Sequence, residues 1–389
     1  MKTGTASRSL AQDVRLREVW AWSMYDFANS GYTTVVITAV FNAYFVSAIA
    51  GKAPWATFAW TAALSVSYLA VLLTAPIVGA WADAHAAKKK LLLIATIGCV
   101  FFTGLMFFAT PGAVAFAIFL IIVSNFFFGT GENLIAAFLT ELADSKAMGR
   151  VSGWGWAFGY LGGLVSLGVA LAYILSRPKD LPATEYVPIV MLITAVIFAL
   201  ASIPTFLYLR ERARPHREQK HPWQRVMQTL RQTARFQDLR RFLVCILFYQ
   251  AGIQAVIALA AIYATEAMKF TFVDTIILIL VVNITAAIGA FSFGYLQDRI
   301  GHIRSMQLVL VGYLSPPDRN AEFFGLWGLA VKAASIFGPL TYGTVTWIFE
   351  GNHRLAILAV GVYFVIGLAL LAGINVERGR RSALSADGA

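Results

Sequence analysis

Residues 187–209 read VPIVMLITAVIFALASIPTFLYL, and no charged side chain interrupts this stretch. An α-helix needs about 20 apolar residues to cross the hydrocarbon core of a bilayer. Comparable runs recur along the whole chain of 389 residues, of which 59% are hydrophobic and only 13% are charged. A soluble domain carries about 25% charged residues. The sequence therefore predicts an all-α polytopic membrane protein.

We predict about ten transmembrane helices, six before and four after one long hydrophilic stretch. Their expected bounds are 21–49, 57–82, 91–110, 113–140, 152–176, 187–209, 242–264, 274–297, 323–349 and 354–375. The hydrophilic stretch divides the chain into an N-terminal six-helix bundle at 1–209, a basic cytoplasmic linker at 210–241 and a C-terminal bundle of about four helices at 242–389.

The basic residues indicate how the chain is oriented in the membrane. If the N-terminus is cytoplasmic, 25 of the 31 Lys and Arg residues lie in inner segments, so we expect both termini to face the cytoplasm. The net charge of +11 then reflects membrane topology, and we predict no nucleic-acid partner. Residues 223–241 suit a basic amphipathic helix on anionic lipid or, equally, a solvated linker.

A short motif occurs twice, after the second and the eighth predicted span. Gly79 and Asp83 stand four residues apart, as do Gly294 and Asp298, and cations such as Arg299 follow. A carboxylate at the C-terminal end of a helix opposes the helix dipole, so each aspartate needs a positive partner. Such a contact can hold two helices together in one conformation and break in another. These five residues are therefore a candidate conformational gate; the alternative is an exposed aspartate in a short loop.

The two halves of this repeat differ in length. Gly79 precedes the glycine that opens the fifth span, Gly153, by 74 residues, whereas Gly294 precedes the corresponding Gly325 by only 31. The second half is therefore shorter by 43 residues, close to two spans and a turn. The stretch 305–314 that remains is too short to cross a bilayer. We infer a six-plus-six ancestor that has lost two spans.

Six plus six spans with a basic central loop and this repeated motif resemble the major facilitator superfamily. The more specific stretches resemble its vacuole-effluxer-like branch, which contains autophagy-related amino-acid effluxers; they are 25–30 (YDFANS), 149–156 (GRVSGWGW), 159–163 (GYLGG) and 321–326 (AEFFGL). The resemblance extends from Trp20 to about Leu371. It implies a two-bundle architecture and alternating access by rocking bundles, with amino acids as the cargo of some fungal members. The missing spans depart from the family pattern.

Ionisable groups within spans are costly, so each one indicates a role. We assign substrate or proton coupling to the polar residues Asp26 and Asn29 of span one, Glu132 and Asn133 of span four, and Lys332 of the ninth span. We expect Glu132 to be the most buried carboxylate. The alternatives are a structural hydrogen-bonding role for Asp26 and a structural ion pair for Glu132. We also predict that Lys332 neutralises Glu132 or Asp26 in one conformation only, or forms a fixed structural pair. The glycines of span five are expected to let helices pack closely.

Together these features predict a secondary active transporter that moves a small polar solute, amino acids among the candidates, by alternating access with proton coupling. The expected location is the bacterial cytoplasmic (inner) membrane. The chain contains no P-loop, H-E-x-x-H or G-x-S-x-G motif, so we predict neither an enzyme nor a bound cofactor or metal. The alternative is a non-transporting, truncated family member that acts only as a membrane interaction protein.

Overall fold

The structure, a computed structural model, describes residues 13–143, 148–178, 180–212, 222–300, 314 and 320–385. Side chains are described for the same residues except 148–150, 222, 225, 234, 290–300, 320–322, 324 and 385. The α-helices are α1 Leu16–Tyr32, α2 Phe41–Tyr44, α3 Ala56–His85, α4 Lys88–Leu105, α5 Val114–Ala137, α6 Leu139–Leu142, α7 Met148–Leu175, α8 Ala183–Tyr208, α9 Pro222–Gln232, α10 Gln237–Glu266, α11 Phe272–Ile300, α12 Asn320–Ile348, α13 His353–Ala372 and α14 Val376–Ser385.

The predicted all-α polytopic membrane fold is confirmed. Within the described residues, nine helical segments are long and apolar enough to cross a membrane. Helix α12, which corresponds to the predicted ninth span, is 29 residues long but is not among the nine. The side chains of residues 320–322 and 324, at the start of this helix, lie outside the described residues, and the nine segments are counted without them.

The first span, Leu16–Ile49, is 34 residues long and is not a uniform α-helix. Helix α1 continues into a π-helical segment, Thr33–Ala39, and a second π-helical segment, Phe45–Ile49, follows α2. Between them the helical hydrogen-bond pattern shifts at Val40. π-Helical turns are rare and occur frequently at functional sites. Hydropathy alone gives no indication of them.

Two starting points differ from the sequence prediction. The third span was expected from residue 91, but α4 begins at Lys88, because the carboxylate of Glu211 accepts hydrogen bonds from the first backbone N–H groups of that helix. The expected helix at 223–241 is interrupted at Phe236. Helix α9 and a short 3₁₀ turn, Thr233–Arg235, precede that residue, and the residues after it belong to the span α10.

The described chain forms two compact units. The first contains the described parts of Met1–Ala56, Val78–Arg217 and Ala260–Ile288. In it α1 packs against α5, α7 and α8, while α4 packs against α5 and α8.

The second unit contains the described parts of Thr57–Ile77, Glu218–Leu259 and Gly289–Ala389. In it α12 packs against α9 and α13. An apolar core gathers the start of α10 and the first turns of α12; it includes Phe236, Phe242, Ile246, Phe323 and Leu326. The division at 209 and 242 into two bundles and a linker stays a prediction.

Candidate functional site

Helix α1 carries the candidate site and is fixed by hydrogen bonds to three neighbouring helices. Trp22 Nε1 donates to the carbonyl oxygen of Ile135 on α5 at 2.8 Å. The hydroxyl groups of Tyr25 and of Thr96 on α4 lie 2.9 Å apart. Thr205 of α8 donates from Oγ1 to a carbonyl oxygen of α1 at 2.7 Å. These buried contacts set the rotation of α1 about its own axis, and therefore the direction in which its polar residues point.

The glycines of α7 bring that helix into close contact with α1. A Cβ atom at Gly162 would overlap the carbonyl oxygen of Phe27, and one at Gly159 would lie 2.8 Å from the Ser30 hydroxyl. A Cβ atom at Gly163 would meet a side chain of the first span at the same distance. Only glycine allows the two backbones to approach this closely. The predicted packing role is confirmed for Gly155, Gly159, Gly162 and Gly163, but it is wrong for Gly153, where a Cβ atom would meet nothing within 4 Å.

Asp26 is placed against one of these glycines. A Cβ atom at Gly155 would collide with the Asp26 carboxylate and would lie 2.7 Å from the ring of Trp22. Asp26 is half-buried and interacts electrostatically with Glu132 on α5. The structure therefore brings together two of the predicted coupling residues from different helices of the first unit. Sequence reasoning missed the role of Trp22 and did not place Gly155 beside Asp26.

The expectation that Glu132 is the most buried carboxylate is wrong. Its side chain is exposed, whereas Glu18, near the start of α1, is only 2% exposed. Glu132 lies in the middle of an apolar run, but hydropathy does not indicate which way a side chain points around the helix axis. The buried face of α5 instead carries apolar residues such as Leu120 and Phe128 together with the polar but uncharged Asn125.

The other predicted coupling residues occupy different surroundings. Asn29, one turn after Asp26, is 7% exposed, and its buried Oδ1 has no hydrogen-bond partner among the described residues. Asn133 is half-buried. Lys332 belongs to the second unit, where its amino group lies 5.9 Å from the centre of the Tyr68 ring. Its predicted pairing with the acidic residues stays a prediction.

At the end of the first unit, a charge network surrounds the predicted gate residue Asp83. Lys88 Nζ lies 3.1 Å from the carboxylate of Asp83 and 3.1 Å from that of Glu141. The sequence predicted that a following cation would hold Asp83, and Lys88 does so. A Cβ atom at Gly79 would meet no atom within 4 Å, so packing does not require glycine there.

The network continues through Arg212 to the start of α1. The backbone N–H of Arg212 donates to Glu141 Oε2 at 2.6 Å, and its guanidinium lies 2.9 Å from the buried carboxylate of Glu18. The network therefore joins the ends of four helices through side chains of alternating charge. Its members are Asp83, Lys88, Glu141, Arg212 and Glu18. Sequence reasoning expected a following cation beside Asp83 but did not single out Glu141, Arg212 or Glu18; the last two are 194 positions apart.

The second copy of the gate motif lies at the C-terminal end of α11. The backbone of α11 continues as a helix through Gly294, Asp298 and Arg299. Their side chains lie outside the described residues, as does most of the stretch 305–314. The assignment of these three residues to a gate stays a prediction.

Comparison with known proteins agrees with this architecture. The sequence model of the family described as "Vacuole effluxer Atg22 like" matches residues 56–312 and 299–384. The two matched segments meet at the place where the repeat analysis predicts missing spans. A relative from Bacillus subtilis, described as an uncharacterized MFS-type transporter, YxiO, is 25% identical over 408 residues, which cover 92% of this chain and 94% of the relative. The aligned part of this chain, 92% of its 389 residues, is shorter than the 408 aligned positions by about fifty. This chain therefore lacks about fifty of the aligned positions.

Fungal proteins and solved structures extend the comparison. Autophagy-related protein 22-1 of Aspergillus fumigatus is 21% identical over 332 residues, which cover 66% of this chain and 54% of that protein. The crystal structure of the nucleoside transporter NupG superimposes with a TM-score of 0.67 at 12% identity, covering 91% of this chain and 99% of that one. The inward-open xylose transporter XylE from E. coli superimposes with a TM-score of 0.61 at 14% identity, covering 92% of this chain and 97% of that one. These neighbours share the major facilitator fold, and the chain belongs to the Atg22-like vacuole effluxer family of that transporter type.

Proposed function

We propose that this chain is a proton-coupled secondary active transporter that moves a small polar solute by alternating access, with amino acids as the leading candidates. The observation that carries the proposal is the placement of Asp26, which packs against Gly155 of α7 and lies within electrostatic range of Glu132 on α5. Ionisable groups inside transporter spans commonly mark ion or substrate pathways.

The position of both carboxylates along the membrane supports this role. Asp26 follows Glu18 by eight residues of α1, a rise of about 12 Å, and Glu132 lies five residues, about 8 Å, before the end of α5 at Ala137. Because Arg212 contacts both Glu18 and Glu141, the two carboxylates start from the same end of the unit. Both carboxylates therefore lie within their helices, more than one turn from that end.

The chemistry of such a pair suits coupling. Two ionised carboxylates repel each other, and a proton or a cationic group of the solute bound at the pair removes that repulsion. Asp26 has little freedom to move toward α7, because its carboxylate packs against Gly155. Binding at the pair therefore changes the electrostatic free energy of α1 relative to α5, which gives a solute or proton a way to favour one conformation.

The charge network is the proposed cytoplasmic gate of the first unit, with Gly294, Asp298 and Arg299 as its counterpart in the second repeat. The distribution of Lys and Arg supports cytoplasmic termini and a location in the bacterial inner membrane. In that orientation, Asp83 and Lys88 face the cytoplasm. Their ion pair is expected to form in one conformation and to break in another.

The test uses the purified chain in proteoliposomes and measures counterflow of a labelled amino-acid mixture, with and without a pH gradient. Asp26→Asn and Glu132→Gln remove one charge each. Glu377→Gln is the matched control, because that carboxylate is 84% exposed and lies in α14, outside the candidate spans. We expect gradient-dependent uptake that both site variants lose and the control keeps.

Two results would contradict the proposal in different ways. Uptake that survives both site substitutions unchanged would refute the coupling site but not transport. No uptake of any tested solute by a folded, correctly inserted chain would favour the non-transporting alternative. Inserting two spans after residue 310 and recovering uptake would then identify the shortening as the cause.

A further inference from the structure

Helix α9 carries one face that the described residues of the second unit cover and a second, apolar face that they leave exposed. Val226 packs against the apolar core, and Thr229, one turn further on, is 5% exposed. About a quarter of a turn away, Met227 and Leu230 are 44% and 49% exposed, and Trp223, on the same face, is half-buried. Single exposed apolar side chains are common on protein surfaces. Three large ones on one face of an 11-residue helix indicate a surface that something apolar contacts.

The charge around this face is strongly positive. Residues 222–241 contain five arginines and a single acidic residue, Asp238. That carboxylate is 2% exposed and accepts two hydrogen bonds of 2.7 Å from the guanidinium of Arg378. By contrast, the side chains of Arg231, Arg235 and Arg240 are exposed. The surface therefore combines apolar side chains with positive charge that no acidic residue of the same segment offsets.

The position of α9 in the chain determines what lies beside it. Helix α9 ends at Gln232, and the membrane span α10 begins at Gln237. Five residues reach at most about 17 Å even when fully extended, and three of them form a compact 3₁₀ turn. The end of α9 is therefore within a short distance of the bilayer surface. Phe236, which separates the turn from α10, is buried in the apolar core and fixes this junction.

We propose that α9 lies on the membrane surface and binds anionic lipid, with Trp223, Met227 and Leu230 inserted at the headgroup boundary and Arg231 and Arg235 contacting lipid phosphates. An amphipathic helix with a basic flank and apolar residues on the other side is the usual form of such a contact. The leaflet beside the entry of α10 supplies both the apolar layer and the negative charge. A solvated linker would leave all three apolar side chains in water.

The test places a nitroxide label on each side of the helix in the full-length chain. Met227→Cys reports on the proposed lipid face, and Gln228→Cys, rotated by about 100° on the same turn, is the matched control. The natural thiols Cys99 and Cys245 are buried, so the reagent labels the introduced cysteine. The protein is reconstituted in phosphatidylcholine alone or with about one third phosphatidylglycerol, and power saturation compares collisions with oxygen and with a water-soluble nickel complex.

We expect the label at 227 to collide more with oxygen when phosphatidylglycerol is present, while the label at 228 stays accessible to nickel. Each arginine near an anionic surface contributes roughly fivefold to partitioning, so Arg231→Gln with Arg235→Gln should lower the lipid-bound population about 25-fold. High salt should act in the same direction. Arg177→Gln, outside this segment, is the charge control and should change nothing.

Three outcomes would overturn the proposal. Equal nickel accessibility at both positions in both lipid mixtures would identify a solvated linker. A label at 227 shielded from both reagents would identify a protein contact on this face. Oxygen accessibility unchanged by the double arginine substitution would show that anionic lipid is not what binds there.

Discussion

Two carboxylate clusters of the first unit, about 12 Å apart along α1, are stabilised in opposite ways. At the end of the unit, ion pairs of 2.9 to 3.1 Å join Lys88 to Asp83 and Glu141, and Arg212 to Glu18. Deeper in the membrane, Asp26 and Glu132 bring two like charges together, and Asp26 is positioned by close packing against α7. One cluster is built on charge balance and the other on shape.

This difference distinguishes charges that stabilise the fold from charges that can bind a proton or a solute. A balanced network contributes to stability while it is closed and costs free energy when it opens, which suits a gate. A pair of like charges is destabilised by repulsion, and this repulsion is relieved when a proton or solute binds. Such a pair therefore suits a binding site. The following substitutions test whether the two clusters behave so differently.

The largest effect on stability is expected from Arg212→Ala. The substitution leaves Glu18, which is 2% exposed, without its guanidinium partner, and breaking such a buried pair typically costs roughly 3–5 kcal/mol. Thermal unfolding in detergent should show a strongly lowered midpoint. Lys90→Ala, an exposed lysine on the neighbouring helix, should stay within about 0.5 kcal/mol of the wild type. Equal midpoints for the two variants would show that the network is not structural.

The packing side of the comparison is tested by Gly155→Ala. The new methyl group would overlap the Asp26 carboxylate and the Trp22 ring, at an expected cost of about 1–3 kcal/mol. The matched control is Gly153→Ala on the same helix, where a Cβ atom meets nothing within 4 Å. Replacing an exposed helical glycine by alanine there should be neutral or should stabilise by up to about 1 kcal/mol. Opposite signs in the two melting shifts are the expected result.

A smaller effect is expected from Trp22→Phe. Phenylalanine keeps the aromatic contact near Gly155 but loses the 2.8 Å hydrogen bond from Nε1 to Ile135. The loss of one such bond costs about 1 kcal/mol. If α1 also rotates, uptake by the reconstituted variant should fall more than its stability does. Unchanged uptake with a lowered melting midpoint would limit Trp22 to a structural role.

The smallest effect on stability is expected from Asp83→Asn. Asp83 is 53% exposed, and ion pairs this accessible contribute about 0–1 kcal/mol. Its effect should instead appear in transport, because the proposed gate would close less firmly. Counterflow rates measured beside thermal midpoints separate the two readouts. A change in melting midpoint with no change in rate would argue against a gate at Asp83.

Much of the fold follows from composition, because a bilayer imposes helix length and apolarity. The predicted sixth span, 187–209, and the helix Ala183–Tyr208 differ by four residues or fewer at each end. A cationic partner for Asp83 was also predictable, since Lys88 follows it by only five residues. The spacing of glycines in span five indicated close packing before any neighbour was known.

The rest depends on contacts that no local pattern contains. The start of α4 is set by Glu211, which is 123 residues away, and Glu18 finds Arg212 across 194 residues. The exposure of Glu132 depends on the rotation of α5, which its neighbours fix through contacts such as the Trp22 hydrogen bond to Ile135. Sequence reasoning therefore located the candidate residues along the membrane but not around their helix axes.

The distance in sequence between Glu18 and Arg212 also has a consequence for biosynthesis. A ribosome synthesises the chain from the N-terminus, so six spans are made before Arg212 and Glu211 leave the exit tunnel. Until then the carboxylate of Glu18 lacks its guanidinium, and the first N–H groups of α4 lack their cap. The first spans must therefore wait in the translocation machinery or the lipid in an unfinished arrangement. The arrival of two adjacent residues then completes both contacts at once, so this end of the first unit closes only after α8 has been synthesised.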